Sequence, residues 1–281
     1  MNFEELIDNK NIAENSKKTY INNIKRLQKD KFKFPIKDNE SLKYVTQFLN
    51  EYPKLSTQLD LLNVIIIVRQ ELDKPVEKLK ELRMNKREDR LEENITTMKD
   101  LKDNLMSVED FENELNQSFD NSNFTKYVLN YLMFHFGVRN KDLNVFIVTR
   151  KKDVGPDKNY LLVKPKGISY IRNDYKTFKT YGRQEQEIDD PRFLKAVKKI
   201  GTGPLLKQDK QLTNLLKNNL INNMTESKIF KMLIGNAYDK KDTSRVNELS
   251  KSRGTSIPTI MENYNVNQTD NVFRKLTFEK S

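Results

Sequence analysis

The chain has 281 residues, 36% hydrophobic and 32% charged, and 51 Lys and Arg against 40 Asp and Glu leave a net charge of +11. That excess favours a polyanionic partner, because cationic side chains on phosphates release condensed counterions; a basic surface kept for solubility is the bland alternative. The absence of cysteine excludes disulfides, zinc–thiolate sites and cysteine nucleophiles, and a single histidine speaks against a His-rich metal site or a Ser-His-Asp triad.

The opening MNFEELIDNK is acidic and poor in apolar residues, so it does not read as a signal peptide. Ser16 is a candidate cap for a helix through KKTYINNIKRLQKD, where Tyr20, Ile24 and Leu27 share one face. The opposite face is basic, with Lys17, Lys18, Lys25 and Arg26 as candidate phosphate contacts. SLKYVTQFLNEY and LSTQLDLLNVIIIVRQEL predict two more helices. Residues 1–75 therefore form a small helical unit, a type that suits a protein partner as well as DNA. Residues 76–105 are dense in both charge signs and read as a linker or an exposed helix.

The second domain spans 106–281. Ser107 is placed to cap a helix striped by Val108, Phe111, Leu115 and Phe119, and FTKYVLNYLMFHFG predicts a buried helix closed by Gly137. NVFIVT, NYLLVKP, ISYIRND and YGRQEQEI read as strands. DPRFLKAVKKIG, LTNLLKNNLINNM, ESKIFKMLIGNAY, SRVNELSKSRG and SIPTIMENY read as helices. The expected fold class is mainly α with a small antiparallel sheet, an α+β domain behind a helical N-terminal one. No apolar run is long enough to cross a bilayer, Val64–Val68 being typical, so an intracellular soluble protein is expected.

Three residues stand out, each with a plain structural alternative. Arg139 in FGVRNKDL follows a helix-ending glycine, where an arginine often caps the helix or pairs with Asp142. Lys176 in NDYKTFKTYG lies in a polar turn between strands, a usual place for a solvated lysine. Tyr264 shares a helical face with Ile257, Ile260 and Met261, which alone makes it core. His135, four residues before Arg139, reads best as a buried histidine satisfied by a backbone carbonyl.

Taken in order, these segments resemble the tyrosine recombinases of the phage-integrase family. GVRNKDL is similar to that family's arginine box, NDYKT to its strand-hairpin lysine, and SKSRGTSIPTIMENY to its C-terminal box. Thr255 stands nine residues before Tyr264, the spacing that box uses. SKKTYINNIKRL looks like the family's core-binding domain, and DYKTFKTYG is most like integrases of large DNA viruses and their satellites. A viral integrase would work in the virion, host nucleus or cytoplasm.

The resemblance implies double-stranded DNA as partner, clamped between the two domains, and a homo-tetramer assembled on it. It implies cleavage and rejoining through a 3′-phosphotyrosine link, with Tyr264 attacking, Arg139 and Thr255 at the phosphate, and Lys176 protonating the leaving oxygen. No metal or other cofactor is implied. The sequence departs from the family at its His-x-x-Arg box. The family's arginine position falls at Ser227 or Lys228, leaving Lys228 a point charge where the family has a bidentate fork; Arg245 and Arg253 are candidates to substitute for it, with no sequence signal that they do. That departure keeps open a recombinase-derived DNA-binding protein without activity. A type IB topoisomerase shares the chemistry, but the GTS box and small helical domain speak against it. The tail residues Val272, Phe273, Leu276 and Phe278 are expected to cover their own core or dock on a neighbouring protomer.

Overall fold

The computed structural model describes residues 3–8, 10, 12, 14–34, 41–206 and 212–267. It divides into two compact units, Met1–Thr96 and Thr97–Ser281. The tail residues Val272, Phe273, Leu276 and Phe278 lie outside the described residues.

The N-terminal unit contains α1 (Phe3–Asp8), α2 (Glu14–Lys29), α3 (Ser41–Asn50), α4 (Leu55–Glu71) and the first part of α5 (Glu77–Lys102). Helix α4 is apolar around most of its circumference and is accordingly the unit's centre, with Leu61, Leu62, Val64, Ile65 and Val68 all buried. Ile24 and Leu27 of α2 and Val45, Phe48 and Leu49 of α3 complete the core. Helix α2 starts at Glu14, ahead of the expected Ser16 cap, and the acidic Glu14 suits the positive end of the helix dipole. The charged segment after residue 75 is helical as α5. Its start is anchored because Val76 and Leu79 join the core and the buried Lys86 donates to Gln58 Oε1 at 2.5 Å. The division between units falls within this helix.

In the C-terminal unit, Ser107 caps α6 (Val108–Asp120) by accepting the Asp110 N–H at 3.0 Å. Helix α7 (Phe124–Phe136) is buried from Tyr127 to Phe134 and ends at Gly137 in the left-handed region, φ +59°. A Cβ there would lie 2.8 Å from the Phe230 ring and 2.9 Å from Leu249, so the chain turns where only glycine fits. After a 3₁₀ turn, Asn140–Leu143, come β1 (Val145–Val148), β2 (Asn159–Val163), β3 (Ile168–Arg172), the short α8 (Phe178–Tyr181) and β4 (Gln184–Ile188). The chain continues through α9 (Pro191–Ile200), β5 (Gly203–Pro204), α10 (Leu212–Lys217), α11 (Glu226–Asp239), α12 (Thr243–Arg253) and α13 (Ile257–Tyr264).

The unit is mainly helical with one small sheet, in the order β4-β3-β2-β1-β5. Its pairs are antiparallel except β1–β2, which run parallel with Val145 opposite Asn159. The sheet is thus mixed where the strand pattern implied antiparallel pairing. Residues 149–158 are too many for a tight hairpin, and their 3₁₀ turn Lys151–Asp153 lets β2 start beside the start of β1. The core joins Phe111, Leu129, Leu132, Phe193, Phe230, Ile234 and Ile260 from the surrounding helices with Val145, Leu161 and Tyr170 of the sheet. Among the described residues, no helix is long and apolar enough to cross a membrane.

Candidate functional site

The turn after Gly137 carries Arg139 to the place where α12 gives way to α13. Helix α12 ends at Gly254, φ +60°, and Ser256 caps α13 by accepting the Thr259 N–H at 3.4 Å. Arg139 Nη2 donates to Thr255 Oγ1 at 2.6 Å, across 116 positions of sequence, and Nη1 donates to the Arg253 carbonyl. Thr255 is itself fixed, its carbonyl accepting from Ser250 Oγ at 2.6 Å.

Arg253 is buried and organises the cluster from behind. Its Nη1 donates to the Gly137 carbonyl at 2.8 Å, and its Nη2 pairs with Glu226. Its guanidinium lies 4.1 Å from the Phe230 ring centre and 5.1 Å from that of Tyr264. The Tyr264 ring meets Phe230 edge-on at 4.8 Å, half-buried at the end of α13. Glu226, in the first turn of α11, also accepts the Asn140 N–H at 2.8 Å. Burial pulls the Arg139 guanidinium below its ordinary range, and the like charge of Arg253 adds to that; Asp142, Tyr264 and Glu226 oppose it. A cation held under that pressure is stabilised by an incoming anion.

A second buried network holds this surface in place. Arg172, at the end of β3, donates from Nη1 to Asp142 Oδ2 at 3.1 Å, and both side chains are fully buried. Asp142 also accepts the Arg139 N–H at 3.3 Å. Burial pushes the Asp142 carboxyl up, against the pull of Arg172. Arg172 Nη2 reaches Gln184, Gln186 and, at 3.3 Å, Ser252 Oγ beside Arg253. The buried Asn159 ties the same loop to the Lys176 turn. Its Nδ2 donates to the Asp174 carbonyl at 2.9 Å, and its Oδ1 accepts the N–H groups of Asn173 and Asp174 at 2.9 and 2.8 Å.

The structure thus brings Arg139, Thr255 and Tyr264 together, and the connection that carries Lys176 reaches the same turn through Thr177. Lys176 is exposed on the β3–β4 connection, and its neighbour Thr177 presses on Gly254, where a Cβ would lie 2.2 Å from Thr177 Oγ1. Lys228 stands apart: it is exposed and lines a concavity with Asp110, Asn113 and Glu114 of α6. Arg245 is also engaged elsewhere, donating to the Phe134 and His135 carbonyls at 3.0 Å each. Lys17, Lys18, Lys25 and Arg26 are on α2 in the N-terminal unit. Lys17 faces Glu14 at 3.5 Å, Lys25 faces Glu4 at 3.3 Å, Arg26 faces Asp30 at 4.0 Å, and Lys18 is exposed. Surface pairs of this kind are weak enough to yield to a phosphate. Among the described residues, no group of three His, Asp or Glu gathers in a way that would hold a metal ion.

Sequence reasoning missed Arg172, Asn159 and Glu226. For Arg172 and Asn159 the available signal was a charged or amide group inside an otherwise apolar strand, ISYIR or NYLLV, which must find a buried partner. The partner itself could not be read.

His135 packs tilted against Tyr131, ring centres 4.1 Å apart, and burial, aided by Arg245, lowers its pKa to about 4. The folded state therefore stays neutral while an unfolded histidine, near 6.5, takes up a proton. Stability is full above about pH 6.5 and falls as pH drops toward 4, by up to about 2 kcal/mol between pH 7 and 5. Urea unfolding at the two pH values should show this slope, and His135→Gln should flatten it; an unchanged slope in the variant would sink the assignment.

Neither a family model nor a curated protein matches the chain. Among solved structures, one described as "Crystal structure of XerA recombinase" aligns with 99% of this chain and 95% of its own, at 11% identity and a TM-score of 0.37. So loose a likeness carries no weight for the chemistry, which rests on the side chains themselves.

Proposed function

We propose that the chain binds duplex DNA and cuts and rejoins its strands through Tyr264, in the manner of a tyrosine recombinase. The observation that carries this reading is the convergence on the half-buried Arg139, just after α7, of Thr255 from the α12–α13 turn and Tyr264 from the end of α13. In the proposed reaction the Tyr264 phenol gives up its proton to solvent and its oxygen attacks phosphorus, forming a phosphotyrosine ester as the bond to the leaving 5′-oxygen breaks. Arg139 neutralises charge on the non-bridging oxygens, and Lys176 gives the leaving oxygen its proton. Arg253 sits too deep to touch the phosphate; it aligns Tyr264, Glu226 and the Gly137 turn.

A nicked duplex that traps the cleaved strand tests the reading. A covalent protein–DNA adduct is the expected product, and its absence on a bound cognate duplex would refute cleavage. Lys176→Ala should slow adduct formation by ~10²–10⁴ with little change in DNA affinity. A substrate with sulfur as the leaving atom, which needs no proton, should restore the rate; equal losses in binding and cleavage would remove Lys176 from the chemistry.

A second reading is a DNA-binding protein of the same fold without activity. The position of Lys228 away from Arg139, with Arg253 buried, favours it, because the cluster then presents one phosphate-facing guanidinium. Losing one charge-stabilising donor costs ~10²–10³ in rate, which slows such a reaction without forbidding it.

A further inference from the structure

Four large hydrophobic side chains are exposed among the described residues, and two of them sit on the single turn of α8: Phe178, 39% exposed, and Tyr181, 51% exposed. Three positions apart, they share a side of that turn. Each ring packs on the fold by one side and leaves the other open to solvent, offering neighbouring flat apolar faces to a partner. The exposed Lys176 and Lys179 flank and interleave with them.

The turn is held firmly. The Tyr175 hydroxyl donates to the Gly182 carbonyl at 2.6 Å, bridging its ends, and the Phe178 ring meets Tyr175 edge-on at 6.0 Å. Its inner side is pressed on Gly254, where a Cβ would meet Thr177 Oγ1 at 2.2 Å and Tyr181 Cδ2 at 3.2 Å. The next residue is Thr255, which accepts from Arg139. The ring pair is therefore fixed at the edge of the Arg139–Tyr264 cluster. An occupant needs flat apolar faces and negative charge together, at the border of a phosphate site. A nucleic-acid base with its own phosphate has both.

We propose that Phe178 and Tyr181 stack on bases beside the phosphate held by Arg139, parting the duplex locally at that point. The proposal rests on reading the Arg139 cluster as a DNA-phosphate site. Its energetic logic is that of side chains that unstack a base step and recover the cost in contacts with the opened DNA. Bases already unpaired or mismatched are the easiest to open, so such sites should bind more tightly than a fully paired duplex.

The chain has no tryptophan, so Tyr181→Trp introduces a single indole reporter at an exposed position. Its emission should be quenched by a duplex with a central mismatch, less by the paired duplex, and not by heparin, a polyanion without bases. Phe178→Ala and Tyr181→Ala should each weaken binding to the mismatched duplex about tenfold, leaving the salt dependence of binding unchanged. Lys179→Ala should instead reduce the salt slope by about one. Quenching by heparin as strong as by DNA, or an affinity within twofold after both alanine substitutions, would overturn the proposal. So would loss of self-association in place of DNA affinity, which would assign the rings to a protein contact. Quenching by a bound cognate duplex without any covalent adduct would remove the cleavage reading and leave this one standing; an adduct without quenching would do the reverse.

Discussion

Tyr264→Phe is expected to abolish the covalent DNA adduct while leaving the protein folded and bound to DNA. The substitution removes one oxygen and keeps the ring, so the edge-on contact with Phe230 at 4.8 Å and the Arg253 contact at 5.1 Å both persist. Loss of a hydroxyl from a half-buried position changes stability by about 1 kcal/mol at most. A phenyl ring has no nucleophilic atom, so the effect on cleavage is total and no partial rate should remain. Denaturing electrophoresis of a labelled nicked duplex reads the adduct directly. An adduct that survives in the variant would show that another hydroxyl attacks, and Tyr264 would return to the role its apolar helix face first indicated.

Arg172→Met should have the largest effect on stability. Arg172 and Asp142 form a pair in which both side chains are fully buried, and removing the cation leaves an uncompensated carboxylate in the core. A loss of about 3–5 kcal/mol follows, equivalent to roughly 10 °C in the midpoint of a unit this size. The histidine resonances of His135, the sole histidine, report the C-terminal unit by itself and so measure the right transition. Adding Asp142→Leu should recover much of the loss by removing the stranded charge, though not the bond from the Arg139 N–H. A single-variant loss below about 1 kcal/mol would mean that the pair is hydrated or relaxes easily. Where the fold survives, cleavage should fall more than binding, because Asp142 holds the backbone that aims Arg139.

Much of the local structure was legible because its causes are local. The Ser107 cap, the buried run of α7, the glycine that ends it and the proline-started α9 each follow from a few neighbouring residues. The strands were legible one by one. Their pairing was less so, since β1 and β2 became parallel through a connection whose path no periodicity encodes. The charged stretch after residue 75 offered no apolar stripe, and α5 is anchored by Val76, Leu79 and the buried Lys86.

Tyr264 was marked in the sequence by its helix and by its nine-residue distance from Thr255. Arg139 and Lys176 were singled out by the resemblance of GVRNKDL and NDYKT to recombinase motifs, since their turns alone suggest a helix cap and a solvated lysine. Which residues stand behind them was a tertiary decision. Sequence left Lys228, Arg245 and Arg253 as candidates to support Arg139, and packing placed Arg253 against Tyr264, sent Arg245 to the α7 carbonyls and left Lys228 on the surface. The reason is one of range. A helix or cap is fixed by neighbours within a turn, whereas a buried guanidinium is fixed by carbonyls and carboxylates more than a hundred positions away or on another helix, such as Gly137 and Glu226. Those partners exist as partners once the core has closed around them.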